Sequence, residues 1–280
     1  MKFPVKKDIF RKVQNNYEIY SFFLSNLINE HFRDKSEIYI LDFGCGSGKM
    51  LSHLSDICQM PEFEYRKIYF YGVDIFVDKE DLNNARIKAK NAIIKSIKPY
   101  ENFDFKIKFD IVISNQVFEH INNLEIIYSH LNFLMNKKSF IIAGFPTKEI
   151  IVEPHLKIPF IHLLKKNTKT LYFIMLFFSI LKVGQFRKKF KYKNDKDAYL
   201  NNRYIYCNNN LFYRDFKEHI KLFKSYFSDF YDISDKYLTF LKPKRKFINF
   251  LKVIIYLIPS ETIKRKLIRN IFGVYLIIEK

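Results

Sequence analysis

The sequence predicts an α/β protein with a mostly parallel sheet and helices on both faces. Two observations carry that prediction. From residue 38 to residue 146, apolar runs rich in β-branched residues alternate with segments of helical periodicity, the pattern of repeated strand–helix crossovers. The first of these runs passes straight into Gly44-Cys45-Gly46-Ser47-Gly48 and then into a helix. Glycines at such a turn permit positive φ and let the backbone approach a nucleotide-like ligand.

Val13, Tyr17, Tyr20, Leu24, Leu27 and Ile28 recur at helical spacing and predict an amphipathic helix ahead of the first strand. Residues 38–43 read as a buried strand, because apolar residues run on with little alternation. Residues 49–57 read as the helix that follows. Residues 67–75 (KIYFYGVDI) form a second strand, and a helix from 79 to 97 stops before Pro99. Residues 109–115 (FDIVISN), a helix over 125–135 and a strand over 139–144 complete the series.

Beyond Pro146 the pattern changes. Residues 147 to about 225 are aromatic and basic, with helical clusters but no strand series. Late strands are expected at 230–238 and 273–279, with helices at 246–257 and 261–272 between them. The expected organisation is a ligand-binding core with an N-terminal helix (1–146), a helical insertion or lid (147–228), and a C-terminal part (229–280) completing the same sheet.

The chain has 280 residues, 48% of them apolar, with 31 Phe and 19 Tyr, which is ample for a packed core. Its net charge of +19 would suit a nucleic-acid or anionic-membrane partner, but reads first as a lysine-rich surface in a chain that favours Lys, Asn, Ile, Phe and Tyr throughout. Two basic runs stand out, residues 187–193 (RKKFKYK) and 242–246 (KPKRK). Cys45, Cys58 and Cys207 form no pair at metal-ligand spacing, so no metal is expected and a reduced, cytoplasmic setting is. Residues 1–8 contain no apolar core of a secretory signal. The most apolar stretch, 171–181, is too short to span a bilayer but leaves peripheral membrane contact open.

A dinucleotide fingerprint would place its third glycine where this chain has Lys49, so the spacing argues against NAD. Asp74 ends the second strand 26 residues after Gly48, where a carboxylate can accept both hydroxyls of a ribose. Asp42, next to the glycines, could hold a cationic amino group.

As a set these residues resemble class I S-adenosylmethionine-dependent methyltransferases, in the branch that modifies small molecules and glycans. Leu41 to Gly48 is similar to that family's first motif and Gly72-Val73-Asp74 to its second; Phe109 to Ile121 resembles the fourth-strand segment and Leu131 to Pro146 the helix and strand that follow. The resemblance implies a Rossmann-like seven-stranded sheet with an antiparallel last strand. It also implies S-adenosylmethionine as cofactor, with Gly44, Gly46 and Gly48 approaching its methionine part and Asp74 holding the ribose. Only 36 positions separate Asp74 from Asp110, so the third strand reads as short or missing, with residues 102–105 standing in for it.

Methyl transfer needs nucleophile, methyl and sulfur aligned, and an oxygen or nitrogen acceptor can also need a base. Asn115 could touch cofactor or acceptor. Glu119 and His120 either belong to the site or fix the loop after the fourth strand. His155, in Glu153-Pro154-His155, is the preferred base, and His162 is a further candidate if the stretch between them is helical. The expected function is O-methylation of a small molecule, saccharide or lipid-linked precursor. RNA methylation through the basic surface and a non-catalytic cofactor-binding module are the alternatives; Asn115-Gln116-Val117-Phe118 lacks the Pro-Pro-aromatic pattern of amino-directed DNA enzymes.

Overall fold

The computed structural model describes residues 17–59, 63, 66–75, 79–98, 105–187, 196–240 and 246–280. In chain order the elements are α1 (Glu18–Glu30), β1 (Glu37–Phe43), α2 (Lys49–Ile57), β2 (Lys67–Asp74), α3 (Lys79–Lys88), β3 (Ala92–Ser96), β4 (Phe109–Asn115), α4 (Leu124–Leu134) and β5 (Met135–Phe145). They continue with α5 (Lys169–Ile180), α6 (Lys196–Asn210), α7 (Phe216–Tyr226), β6 (Asp229–Asp232), α8 (Ser234–Phe240), α9 (Lys246–Leu257), α10 (Glu261–Phe272) and β7 (Val274–Glu279).

Seven strands form one sheet in the order β3-β2-β1-β4-β5-β7-β6. The first five pair in parallel, and β7 runs antiparallel between β5 and β6. This is the Rossmann-like architecture expected. Alternation along each strand divides the core. Ile38, Ile40, Ile111, Ile113 and Ile142 face the layer that contains α1 and α2, whereas Leu41, Phe43, Val112, Ile141 and Leu276 face α4 and α7. Each such burial is worth roughly 1.5–3 kcal/mol, so the two faces fix the register of the whole sheet.

Three expectations are corrected. The helix expected over 79–97 ends at Lys88, and Ala92–Ser96 forms β3 on the edge beside β2. The third strand is therefore present, and residues 102–105 are not its substitute; of them only Phe105 lies among the described residues. The strand expected over 230–238 stops at Asp232. There Asp232 accepts from Ser234 N–H (3.0 Å), Ile233 N–H donates to Tyr275 O (2.9 Å), and the chain turns into α8. The strand expected over 139–144 is longer, because its pairing with β4 begins at Met135.

Between β5 and β6 the chain forms α5, α6 and α7. Leu156, Ile158, Ile161, Leu171, Met175, Phe186 and Leu200 make a separate small core there. The apolar α5 is split between roles: Leu171 and Met175 are buried, while Phe173 (62%), Phe177 (57%) and Ile180 (70%) are exposed on another face. Residues 169–187 form a helical run that is long and apolar enough to cross a membrane by length and composition. The α-helix itself has only 12 residues, and Lys182 at φ 53° breaks the run. Its length of ~18 Å falls short of a hydrocarbon core of ~30 Å. The basic runs lie almost wholly outside the described residues, as does Val13 of the N-terminal periodicity.

Candidate active site

Strand order reverses at β1, which has β2 on one side and β4 on the other. Ligands of open α/β sheets bind where the carboxyl ends of two such strands diverge. A cleft of about 700 Å³ lies at this point, and Gly44, Gly46, Asp74, Gln116, Val117, His120, Asn210 and Phe212 are among its lining residues.

The three glycines differ in what they do. All have positive φ, 81° at Gly44, 49° at Gly46 and 71° at Gly48. A Cβ on Gly44 would lie 2.2 Å from Val117 Cγ2, so this glycine lets the turn close on the loop after β4. A Cβ on Gly46 would meet only Asp74 Oδ2, at 3.8 Å, which leaves open backbone beside the carboxylate. At Gly48 it would lie 2.8 Å from Ala85 O in α3. Gly48 therefore serves helix packing, and it is not among the residues lining the cleft.

Asp74 Oδ2 accepts from Gly46 N–H and Oδ1 from Ile75 N–H (2.6 Å), which aims the carboxylate into the cleft mouth. Asp42 lies fully buried below the turn, and among the described residues neither of its oxygens has a hydrogen-bond partner. Burial, and then the nearby Asp74, push its pKa up to about 8. Asn115 is likewise removed from the cleft lining. Its Oδ1 accepts from Tyr20 O–H (2.8 Å), and Gly144 makes room for that hydroxyl, since a Cβ there would sit 2.1 Å from it. Asn115 thus ties α1 to the end of β4.

Asp42 dictates a pH dependence. A carboxyl whose folded pKa is raised favours folding while protonated, and that contribution fades as pH rises from about 4 towards its folded value of about 8. The slope is ~1.4 kcal/mol per pH unit, so Asp42→Asn should remove about 3 kcal/mol of the fall in unfolding free energy between about pH 5 and about pH 7.5. Denaturant titration of the cofactor-free chain at both values checks this. Equal falls in wild type and variant would refute it.

A second cluster adjoins the cleft. Phe118–His120 makes a single 3-10 turn after β4, entered through Gln116 at φ 58°. Glu119 is buried, neither of its oxygens finds a hydrogen-bond partner in another residue, and burial pushes its pKa up to about 8. His120 Nδ1 lies 2.7 Å from Asn210 O, and burial lowers the pKa of its ring. His155, after β5, stands with its ring centroid 4.9 Å from that of His120. Its Nδ1 is 2.7 Å from Glu153 Oε1 and 3.2 Å from Tyr213 Oη.

Glu153 is fully buried. Burial raises its pKa, but hydrogen bonds from His155, Tyr213 (2.6 Å) and Leu156 N–H outweigh burial and hold it below the ordinary value. Because Tyr213 O–H already donates to Glu153, the proton between His155 and Glu153 sits on Nδ1, which leaves Nε2 with the free lone pair.

The structure therefore brings the predicted His120 and His155 together, and places Gly44, Gly46 and Asp74 around one cleft. It does not bring in His162. The intervening stretch is not helical, and His162 Nε2 lies 3.0 Å from Lys148 O, lining a separate cavity of about 560 Å³. Tyr213 and Asn210 escaped sequence reasoning, because no local pattern marks residues that arrive from the distant α6–α7 connection.

A family model described as a methyltransferase domain matches residues 16–169. The chain belongs to that family. An uncharacterized methyltransferase of Schizosaccharomyces pombe is 29% identical over 122 residues, 40% of this chain and 39% of that protein. The malonyl-[acyl-carrier protein] O-methyltransferase of Bacillus cereus is 25% identical over 108 residues, 39% of this chain and 37% of its own length. The chain thus spans less than two fifths of each of these relatives. Among solved structures, the plantazolicin methyltransferase BpumL, in complex with a triazolic desmethylPZN analog and SAH, aligns with 96% of this chain and 86% of its own (TM-score 0.51, 14% identity). The citrinin polyketide synthase CMeT domain aligns with 94% of this chain and 51% of its own (TM-score 0.51, 12% identity). At these identities the likeness is one of fold.

The methyltransferase site fits S-adenosylmethionine. The open backbone at Gly46 gives a ligand close approach, and the Asp74 carboxylate stands beside it with acceptor capacity to spare. The Asp42 carboxyl is fully buried beneath the turn and is not among the residues lining the cleft.

Proposed function

We propose that this methyltransferase transfers a methyl group to an oxygen of a small molecule, saccharide or lipid-linked precursor. The observation that carries the reading is the His155 imidazole, oriented through Nδ1 by a buried carboxylate and standing against the His120 that lines the cleft. Bound S-adenosylmethionine supplies an electrophilic methyl on a positive sulfonium. The chain's own groups do the rest. Gly44, Gly46 and Asp74 would hold the cofactor.

His155 Nε2 takes the proton of the acceptor hydroxyl, and Glu153 stabilises the resulting imidazolium, a role worth typically 10²–10⁴ in rate. Residues 147–228 act as the cover: Asn209, Asn210 and Phe212 already line the cleft, where they help exclude water. The exposed apolar face of α5 supports the lipid-linked member of the acceptor class.

Incorporation of labelled methyl is to be screened against saccharides, lipid-linked saccharides in vesicles, small phenols and RNA. Transfer to a hydroxyl acceptor is expected, and His155→Ala should lower kcat about 100-fold or more with little change in cofactor affinity. Transfer to RNA alone, or a variant with unchanged kcat, would overturn the reading.

A further inference from the structure

The buried carboxylate and two imidazoles beside the cleft have a second capacity. One atom each of Glu119, His120 and His155 lie within 4.8 Å of one another. Both imidazoles are anchored from outside the group. The His120 Nδ1–H faces the Asn210 carbonyl, and the His155 Nδ1–H faces the Glu153 carboxylate. That leaves Nε2 of each ring as the ligating nitrogen. A carbonyl or carboxylate behind each ligand histidine is the arrangement that fixes tautomer and ring orientation in metal centres. The third member, Glu119, is fully buried; among the described residues neither of its oxygens is hydrogen-bonded to another residue, and Oε1 stands 3.9 Å from His120 Nε2.

We propose that Glu119, His120 and His155 form a three-ligand site for a divalent transition metal ion at the edge of the cofactor cleft. Two imidazoles and one carboxylate suit zinc, iron(II), manganese or cobalt, and three protein ligands leave a coordination position open. Calcium and magnesium, which take oxygen ligands, suit the set poorly. Sequence reading expects no metal, because the cysteines lack ligand spacing and the three groups come from two separate loops. The assignment rests on the acceptor-site reading in one respect: the open position faces the pocket where an acceptor hydroxyl would lie. With the ion bound, His155 Nε2 is a ligand and no longer a base; the cation itself would hold that oxygen and lower its proton affinity, the released proton passing to water.

The test is titration of the full chain with Co²⁺, read by visible d–d absorption and checked by calorimetry with Zn²⁺. One equivalent should bind, producing bands of a nitrogen- and oxygen-ligated ion. Glu119→Gln, His120→Ala and His155→Ala should each weaken binding at least about 10-fold, and Glu153→Gln about 10–100-fold. His162→Ala, outside the cluster, should bind as wild type does. Glu119→Gln is nearly isosteric and removes a buried ionisable group, so it reports on ligation rather than folding, with circular dichroism confirming the fold. Absence of bands in folded wild-type protein would overturn the site, and so would binding that survives all three ligand substitutions. The readout needs no turnover. Cobalt binding without methyl transfer would therefore refute only the proposed function, and transfer unaffected by chelation, without cobalt bands, would refute only the metal.

Discussion

Asp74→Ala is expected to weaken S-adenosylmethionine binding about 100-fold or more while leaving the unfolding free energy nearly unchanged. Asp74 sits at the end of β2 beside the glycine turn, where among the described residues its two oxygens accept from Gly46 N–H and Ile75 N–H. A carboxylate offers about four lone-pair sites, so two remain for a pair of ribose hydroxyls. Hydrogen bonds to a charged acceptor are worth ~1.5–3 kcal/mol each, and losing two of them exceeds the ~2.7 kcal/mol that corresponds to 100-fold. The existing bonds to Asp74 lie at an exposed cleft mouth, where water replaces them, which is why stability should hold. Calorimetry on wild type and variant, with a thermal melt of each, separates the two effects. Retained affinity would refute the reading of the turn, and so would a preference for NAD.

The difference between Asp74 and the histidine cluster is also a difference in what a sequence can express. β1, β4 and β7 are legible because each is mostly buried residues, β2 because aromatic and β-branched residues dominate it although it is only partly buried, and the glycine turn because its conformation demands glycine at adjoining positions. β3 was hidden because it is a short edge strand with Ile94 as its one buried residue, so its Ala92 to Ser96 stretch merges with the periodicity of the preceding helix. β6, at the opposite edge, has four residues and blends into α8 for the same reason.

The site divides likewise. Asp74 and the glycines belong to one local strand–turn–helix–strand unit, so spacing places them. His120 and His155 are 35 positions apart, and what joins them is the parallel pairing of β4 with β5, in which Asn115 stands beside Gly144 and the loops that follow emerge side by side. Their anchors, Asn210 and Tyr213, come from a connection that no spacing rule links to either loop.

Glu153 is where that convergence should carry the largest stability effect. Its carboxylate, itself fully buried, accepts from His155 N–H (3.0 Å), His155 Nδ1–H (2.7 Å), Leu156 N–H and Tyr213 O–H (2.6 Å). In Glu153→Ala these donors lose their acceptor. Each buried group left unsatisfied costs about 1–3 kcal/mol, and partial relaxation by Tyr213 and His155 brings the expected loss to about 3–5 kcal/mol. The sign with pH follows from the direction of the shift. A carboxyl held below its ordinary pKa stabilises the fold above that ordinary value and loses the contribution as pH falls through the folded one, so the gap between wild type and variant should narrow in acid. Glu153→Gln separates the roles. Its one amide oxygen can stand in for Oε1, which serves His155 N–H, His155 Nδ1–H and Tyr213 O–H, or for Oε2, which serves Leu156 N–H, but not for both, so only part of the stability returns. In either amide orientation the negative charge that stabilises the His155 imidazolium is gone, and kcat should stay low. Denaturant curves at neutral and acid pH, together with turnover of both variants, test this. An alanine variant as stable as wild type would show that the buried donors find other partners, and a glutamine variant with full turnover would remove Glu153 from the positioning of His155.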